Sequence, residues 1–319
     1  MGAIDLFDGH CDTVFQCLHG GGGFARNHCH LDLERAGTYR RYAQFFALYG
    51  QPEDFAGTAL EGITHQEIFR RGAALFQREM EANAEKIIHC RSGGEANRAF
   101  SAGKAAAFLS VEGAELLGCS LEGLEQARDL GVRAVTLTWN HANALSGTNC
   151  EQRERGLSSQ GKAFVRRAEE LGVLVDVSHL SDPGFWDVAE TLSGPFLASH
   201  SNSRQVFSHE RNLTDGQFTA IIDHGGVAGL NLYAEFIGGV RDLEAAIAHL
   251  EHWLELGGER HISLGGDLDG CSALIAGITG IQDYRRLYEA LLRRGHSEAL
   301  VRDLFFNNLM RVVSEVCTM

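Results

Sequence analysis

The stretch LFDGHCDTVF, Leu6 to Phe15, is a short apolar run that breaks into Asp8, Gly9, His10, Cys11 and Asp12 before turning apolar again. It reads as a first β-strand ending in a His-x-Asp pair. Similar segments, rich in β-branched and aromatic residues, recur along the chain: YAQFFALYG from Tyr42, AAFLSVEG from Ala106, RAVTLTWN from Arg133, LVDVSH from Leu174, FLASHS from Phe196, VAGLNLY from Val227 and HISLGGDLDG from His261. Longer amphipathic stretches separate them, among them THQEIFRRGAALFQREMEANAEKII, SLEGLEQARDLG, SQGKAFVRRAEELG and RDLEAAIAHLEHWLELGG, several opening on a Ser, Thr or Asp cap and closing on Gly. This βα alternation is the pattern of a parallel sheet. Eight strands with intervening helices predict a (β/α)8 TIM barrel, with a doubly wound open sheet as the alternative.

The 319 residues, 44% of them hydrophobic, suffice for a large core. Three prolines, no linker and no repeat of 20–50 residues predict a single domain over residues 1–319. A formal charge of −14 leaves no basic stripe to neutralise phosphates, which argues against nucleic acid and anionic membrane as partners and for a small-molecule substrate. Eight scattered cysteines without a C-x-x-C pair, and no signal segment, predict reduced thiols in a cytoplasmic protein. Met1-Gly2 is not followed by the Ser or Thr that myristoylation needs, since position 6 is Leu6, and no apolar run reaches the roughly 18 residues of a membrane span. HGGGGF at His19 resembles a lipase oxyanion loop, but without a G-x-S-x-G elbow it reads as a flexible loop.

Barrel enzymes build their sites at the C-terminal ends of the strands. Here those ends carry His10 and Asp12, Glu112, His179, His200, and finally Asp267 and Asp269. Imidazole and carboxylate are the ligands of zinc and its neighbours. Residues two apart on a strand share a side, so His10 and Asp12 are placed to grip one ion from one element. Taken singly, each could be a hydrogen-bonded core His or a helix-capping acid; their recurrence at five strand ends favours metal.

Six motifs, in order, resemble those of the membrane (renal) dipeptidase family of binuclear zinc peptidases in the amidohydrolase superfamily: DGHCDT, SVEG, VDVSH, ASHSNSR, RNLTD and GGDLDG, spanning residues 4 to about 312. The resemblance implies a metal-dependent hydrolase barrel with two Zn2+ per chain. His10 and Asp12 would hold one zinc, His179 and His200 the other, with Glu112 bridging. Arg211 would bind the substrate's terminal carboxylate through its planar fork, Arg204 being a weaker candidate. A hydroxide bridging the zincs would attack the peptide bond of a dipeptide, C-terminal D-residues included, and Asp267 would shuttle the proton, with Asp269 as fallback. The resemblance also admits a homodimer, although no interface is legible in these residues.

One motif departs from the family. Where its best-studied members have L-T-H, with the His on the substrate carbonyl oxygen, this chain reads LTWNHAN. Trp139 cannot serve there, and His141, two residues on, is the candidate replacement. Two other classes are retained: an amidohydrolase-type enzyme acting on N-acyl amino acids or lactams, and a non-catalytic metal-binding barrel.

Overall fold

The computed structural model describes residues 2–318. Nine parallel strands form one sheet: β1 (Asp5–Cys11), β2 (Arg41–Leu48), β3 (Ile87–His89), β4 (Ala105–Glu112), β5 (Val132–Thr136), β6 (Leu174–Asp176), β7 (Leu197–Ser201), β8 (Val227–Leu230) and β9 (Ile262–Leu264). The order β2-β1-β9-β8-β7-β6-β5-β4, closed by pairing of β2 with β4, makes an eight-stranded barrel surrounded by helices, the predicted (β/α)8 class. The ninth strand, β3, was not foreseen. The helix expected to run through Ile88 stops at Ala82, and Ile87–His89 pair with Ala105–Ala107, on the edge of β4 that β5 takes over from Leu109 onward. β6 and β9, three residues each, are shorter than their apolar runs suggest, so His179 and Asp267 lie in the turns beyond them. Among the described residues, no helix is long and apolar enough to cross a membrane.

The N-terminal end of the barrel is filled with apolar side chains. Phe7, Phe45 and Phe108 stack at centroid distances of 5.2–5.7 Å, joined by Leu174, Leu197 and Val227, and the helix Asn308–Val316 closes the cluster with Leu309 and Val312. Aromatic pairs in such offset arrangements add to the transfer free energy of burying them. On β4 strict alternation carries this inward face from Phe108 through Ser110 to Glu112.

Alternation fails on β1 and β7. Phe7 and His10, like Leu197 and His200, are three residues apart, yet all four face inward, and a register shift lies between Asp8 and Cys11 and another between Ala198 and Ser201. Such bulges re-aim a side chain next to a site. The bulge on β7 turns the Ser199 carbonyl against the backbones of Gly229 and Gly265, where a Cβ would collide with it. We expect Gly265→Ala to lower stability by about 1–3 kcal/mol, the usual cost of overpacking, as read from the urea midpoint at unchanged m-value. A loss under about 0.5 kcal/mol would show that the bulge is loosely held.

Candidate active site

At the C-terminal mouth of the barrel, His10, Asp12, Glu112, His179, His200 and Asp267 are all buried and converge. Glu112 stands at the centre. Its Oε1 lies 3.0 Å from His179 Nε2 and 3.6 Å from His200 Nε2, and its Oε2 lies 3.6 Å from His10 Nε2, which is 3.2 Å from Asp12 Oδ2. Each carboxylate oxygen thus faces a different imidazole group. His10, Glu112 and His200, and likewise His10, Asp12 and Asp267, each bring one donor atom to within 4.8 Å of the others. Asp12 Oδ1 is buried with no hydrogen-bond partner. An orphaned carboxylate oxygen, two facing imidazole nitrogens 2.9 Å apart and a mixed N/O donor set fit divalent metal better than a closed hydrogen-bond network.

The electrostatics separate these groups. Burial lowers His179 and His200 well below the ordinary imidazole range, and the positive charges of Arg211 and His10 push the same way, so both rings are neutral at pH 7. Burial acts similarly on His10, but the Glu112 and Asp12 carboxylates outweigh it and hold His10 well above that range. Burial pushes Glu112 up to about 7, opposed by His10 and reinforced by Asp12. Asp267 is raised as well, first by burial and then by Asp12.

Neighbouring polar groups aim the donors. The buried Asp8 carboxylate accepts from His10 N (3.0 Å), Gln44 Nε2 (2.9 Å), Gly266 N (2.9 Å) and Tyr284 Oη (2.7 Å), tying the bulge of β1 to the turn that carries Asp267. Asp176 does the same between β5, β6 and β7, accepting from Thr136 Oγ1, Ser178 N, Ser199 N and Ser199 Oγ at 2.5–3.0 Å. Ser199 Oγ in turn accepts from His200 Nδ1 at 2.7 Å, and Asn140 Oδ1 accepts from His179 Nδ1 at 2.9 Å. Both rings therefore carry the proton on Nδ1 and present the Nε2 lone pair to Glu112, the arrangement that fixes a metal-binding tautomer. Sequence reading missed Asp8, Asp176, Ser199 and Asn140. The Asp two or three residues before each of His10 and His179 was the available signal.

Arg211 is buried, with Nη2 donating to the His200 carbonyl, Nε without a partner, and Asp267 and Glu112 as the foremost charges acting on it. Arg204 is directed elsewhere, into an ion pair with Asp182 at 2.7 Å. Asp269 does not share a face with Asp267. Both have positive φ, 71° and 58°, so the chain is not extended there. Asp269 is taken up by Thr13 Oγ1 and the His30 backbone N–H, whereas Asp267 accepts only from Asn231 Nδ2, at 3.1 Å on Oδ2. The structure does not bring His141 into the cluster. Because β5 ends at Thr136 the extended spacing behind that expectation is lost, and His141 turns outward, its side chain 57% exposed and Nδ1 2.8 Å from Glu151 Oε1. Trp139 and Asn140 instead line the cavity of about 240 Å³ above the cluster.

The model of the family described as membrane dipeptidase, peptidase family M19, matches residues 1–319. Dipeptidase tcpJ of Claviceps purpurea (strain 20.1) is 29% identical over 298 residues, covering 90% of this chain and 69% of its own. Two solved structures superpose with a TM-score of 0.87. A metallo peptidase from Rhodobacter sphaeroides, liganded with a phosphinate mimic of the dipeptide L-Ala-D-Ala, is 26% identical, and the metallo peptidase dipeptidase AC is 27% identical; each alignment covers 98% of this chain and 99% of the other.

If Ser199 carries the influence of Asp176 to His200, Ser199→Ala will weaken metal retention about 10–100-fold, the range typical for such supporting residues, as measured by competition with a chelator. Unchanged retention with the fold intact would show that His200 is held by packing alone.

Proposed function

The chain belongs to the membrane dipeptidase family and is a metal-dependent dipeptidase, and on that premise we propose that it hydrolyses dipeptides bearing a free C-terminal carboxylate, using two zinc ions. The observation that carries this reading is the Glu112 carboxylate, with one oxygen toward His179 and His200 and the other toward His10. His10 and Asp12 would hold one ion, His179 and His200 the other, and Glu112 both. Two such ions, when bound, supply a water acidified to a pKa of about 7 and a Lewis acid for the scissile carbonyl.

The chain's own residues supply the rest. Asp267, raised by burial, takes the proton of the attacking water on Oδ1, the oxygen that Asn231 leaves free, and delivers it to the departing amine. Arg211 orients the substrate through its C-terminal carboxylate, a role suited to a planar guanidinium that burial has already desolvated. A site that reads only a carboxylate at that end does not test the configuration of the last residue. The L-Ala-D-Ala mimic on the Rhodobacter sphaeroides relative supports including C-terminal D-residues in the range. This reading assigns His141 no role, because its exposed side chain pairs with Glu151 and does not line the cavity. Eight unpaired cysteines support a reducing, cytoplasmic setting.

Metal analysis of protein purified without chelators should find two divalent ions per chain, and Glu112→Gln should weaken both sites together. Asp267→Asn should retain metal and lose about 10²–10⁴ in kcat; near-normal turnover would move the proton to water. Arg211→Ala and amidation of the substrate's C-terminus should each lower kcat/KM without adding to one another, because they break one contact. Full activity on amidated dipeptides would instead indicate hydrolysis of other amides.

A further inference from the structure

The metal-type cluster is the floor of a cavity whose walls are aromatic. On one side Phe15, Tyr49 and Trp139 follow β1, β2 and β5, with Tyr49 centred 5.1 Å from both Phe15 and Trp139. On the other side Tyr233 and Phe236 follow β8 and pack at 4.8 Å, and the Arg211 guanidinium lies 5.3 Å from the centre of Phe236. All five rings are half-buried, and of them only Phe15 also packs against the buried core. Partly wetted rings around a dry ionic floor gain most from an apolar group laid on them.

The ring order of the strands decides which part of a substrate meets which wall. Tyr49 follows β2 and Arg211 follows β7, four strands away in either direction round the closed barrel, so they stand opposite each other. With the C-terminal carboxylate on Arg211 and the scissile bond over the floor, the N-terminal residue extends toward Phe15, Tyr49 and Trp139. We propose that these three rings form the subsite for the side chain of the substrate's N-terminal residue and select a large apolar one there. The inference rests on the dipeptidase reading and on Arg211 as the carboxylate anchor. An acidic side chain is disfavoured there by charge, because Asp54, which holds no metal in this reading, lines the same side of the cavity. Trp139 is the central element. It contacts Tyr49 and also stands 6.5 Å from His179, so it spans the wall from rim to floor.

The test compares two substrate series on the zinc-loaded enzyme, X-Ala and Ala-X, with X as Gly, Leu, Phe or Glu. The wild type should prefer Phe-Ala over Gly-Ala by at least about tenfold in kcat/KM, since even a single methylene in an apolar pocket is worth about 10–200-fold. It should be poorest on Glu-Ala. Trp139→Ala should bring the Phe-Ala to Gly-Ala ratio toward unity, Trp139→Phe should retain most of it, and the Ala-Phe to Ala-Gly ratio should move in neither. If Trp139→Ala does not fold, Tyr49→Ala carries the same expectation. Absence of the preference in wild type, or a change confined to the Ala-X series, would overturn the subsite while leaving the dipeptidase reading intact. No hydrolysis of any dipeptide would remove that reading, and the subsite with it.

Discussion

A buried carboxylate surrounded by other carboxylates is the constraint on which this molecule is organised. Glu112 is 4% exposed, with Asp12 and Asp267 as like-charged neighbours. Removing such a group from water is costly unless it is paired, and protein cations pair it only in part: His10, itself shared with Asp12, lies 3.6 Å from one oxygen, while Arg211 is turned to a backbone carbonyl and His179 and His200 are neutral. Divalent metal at this cluster supplies the missing positive charge. The dense apolar base of the barrel, with its stacked Phe7, Phe45 and Phe108, gives this charged layer a rigid seat.

Holding six ionisable side chains within a few ångströms also constrains the backbone. Strict two-residue alternation delivers Glu112 but would turn His10 and His200 away from a face that already holds Phe7 and Leu197. The bulges on β1 and β7 resolve that conflict, and a buried carboxylate braces each one: Asp8 at His10, and Asp176 through Ser199 at His200. Both braces saturate their oxygens with strand and turn donors, so they act as fixed scaffolding and leave the metal donors free.

Much of this was legible in the sequence, and the reasons for the rest are physical. Apolar runs with polar ends located eight strands and placed His10, Asp12, Glu112, His179, His200 and Asp267 at one mouth, because burial and strand-end chemistry are both local signals. The bulges were not legible, since nothing in LFDGHC or FLASHS announces an extra residue. Neither was the ninth strand, whose Ile87 and Ile88 keep the apolar spacing of a helix that has already ended at Asn83. His141 was misplaced for a related reason: the spacing argument assumed extended chain beyond Thr136, where the chain turns. The supporting Asp8 and Asp176 are marked only by their place two or three residues before His10 and His179, and Ser199 has no signature apart from geometry.

The turns beyond β6 and β9 show how backbone conformation divides roles between adjacent residues. Of the six non-glycine residues with positive φ among the described residues, three are His179, Asp267 and Asp269. That conformation costs of order 1–3 kcal/mol each and persists only where the surroundings fix it. At Asp267 and Asp269 it sends two carboxylates, which an extended strand would have aimed together, in different directions. Asp269 is spent on Thr13 and the His30 backbone, fixing the loop that borders the cavity, while Asp267 keeps one oxygen unbonded beside Asp12 and His10. Gly270 completes the arrangement, because a Cβ there would strike the carboxylates of both Asp12 and Asp267. The turn thus leaves one carboxylate with an unbonded oxygen at the metal-type cluster and withdraws its neighbour into structure, a separation that a pair of acids on a regular strand would not produce.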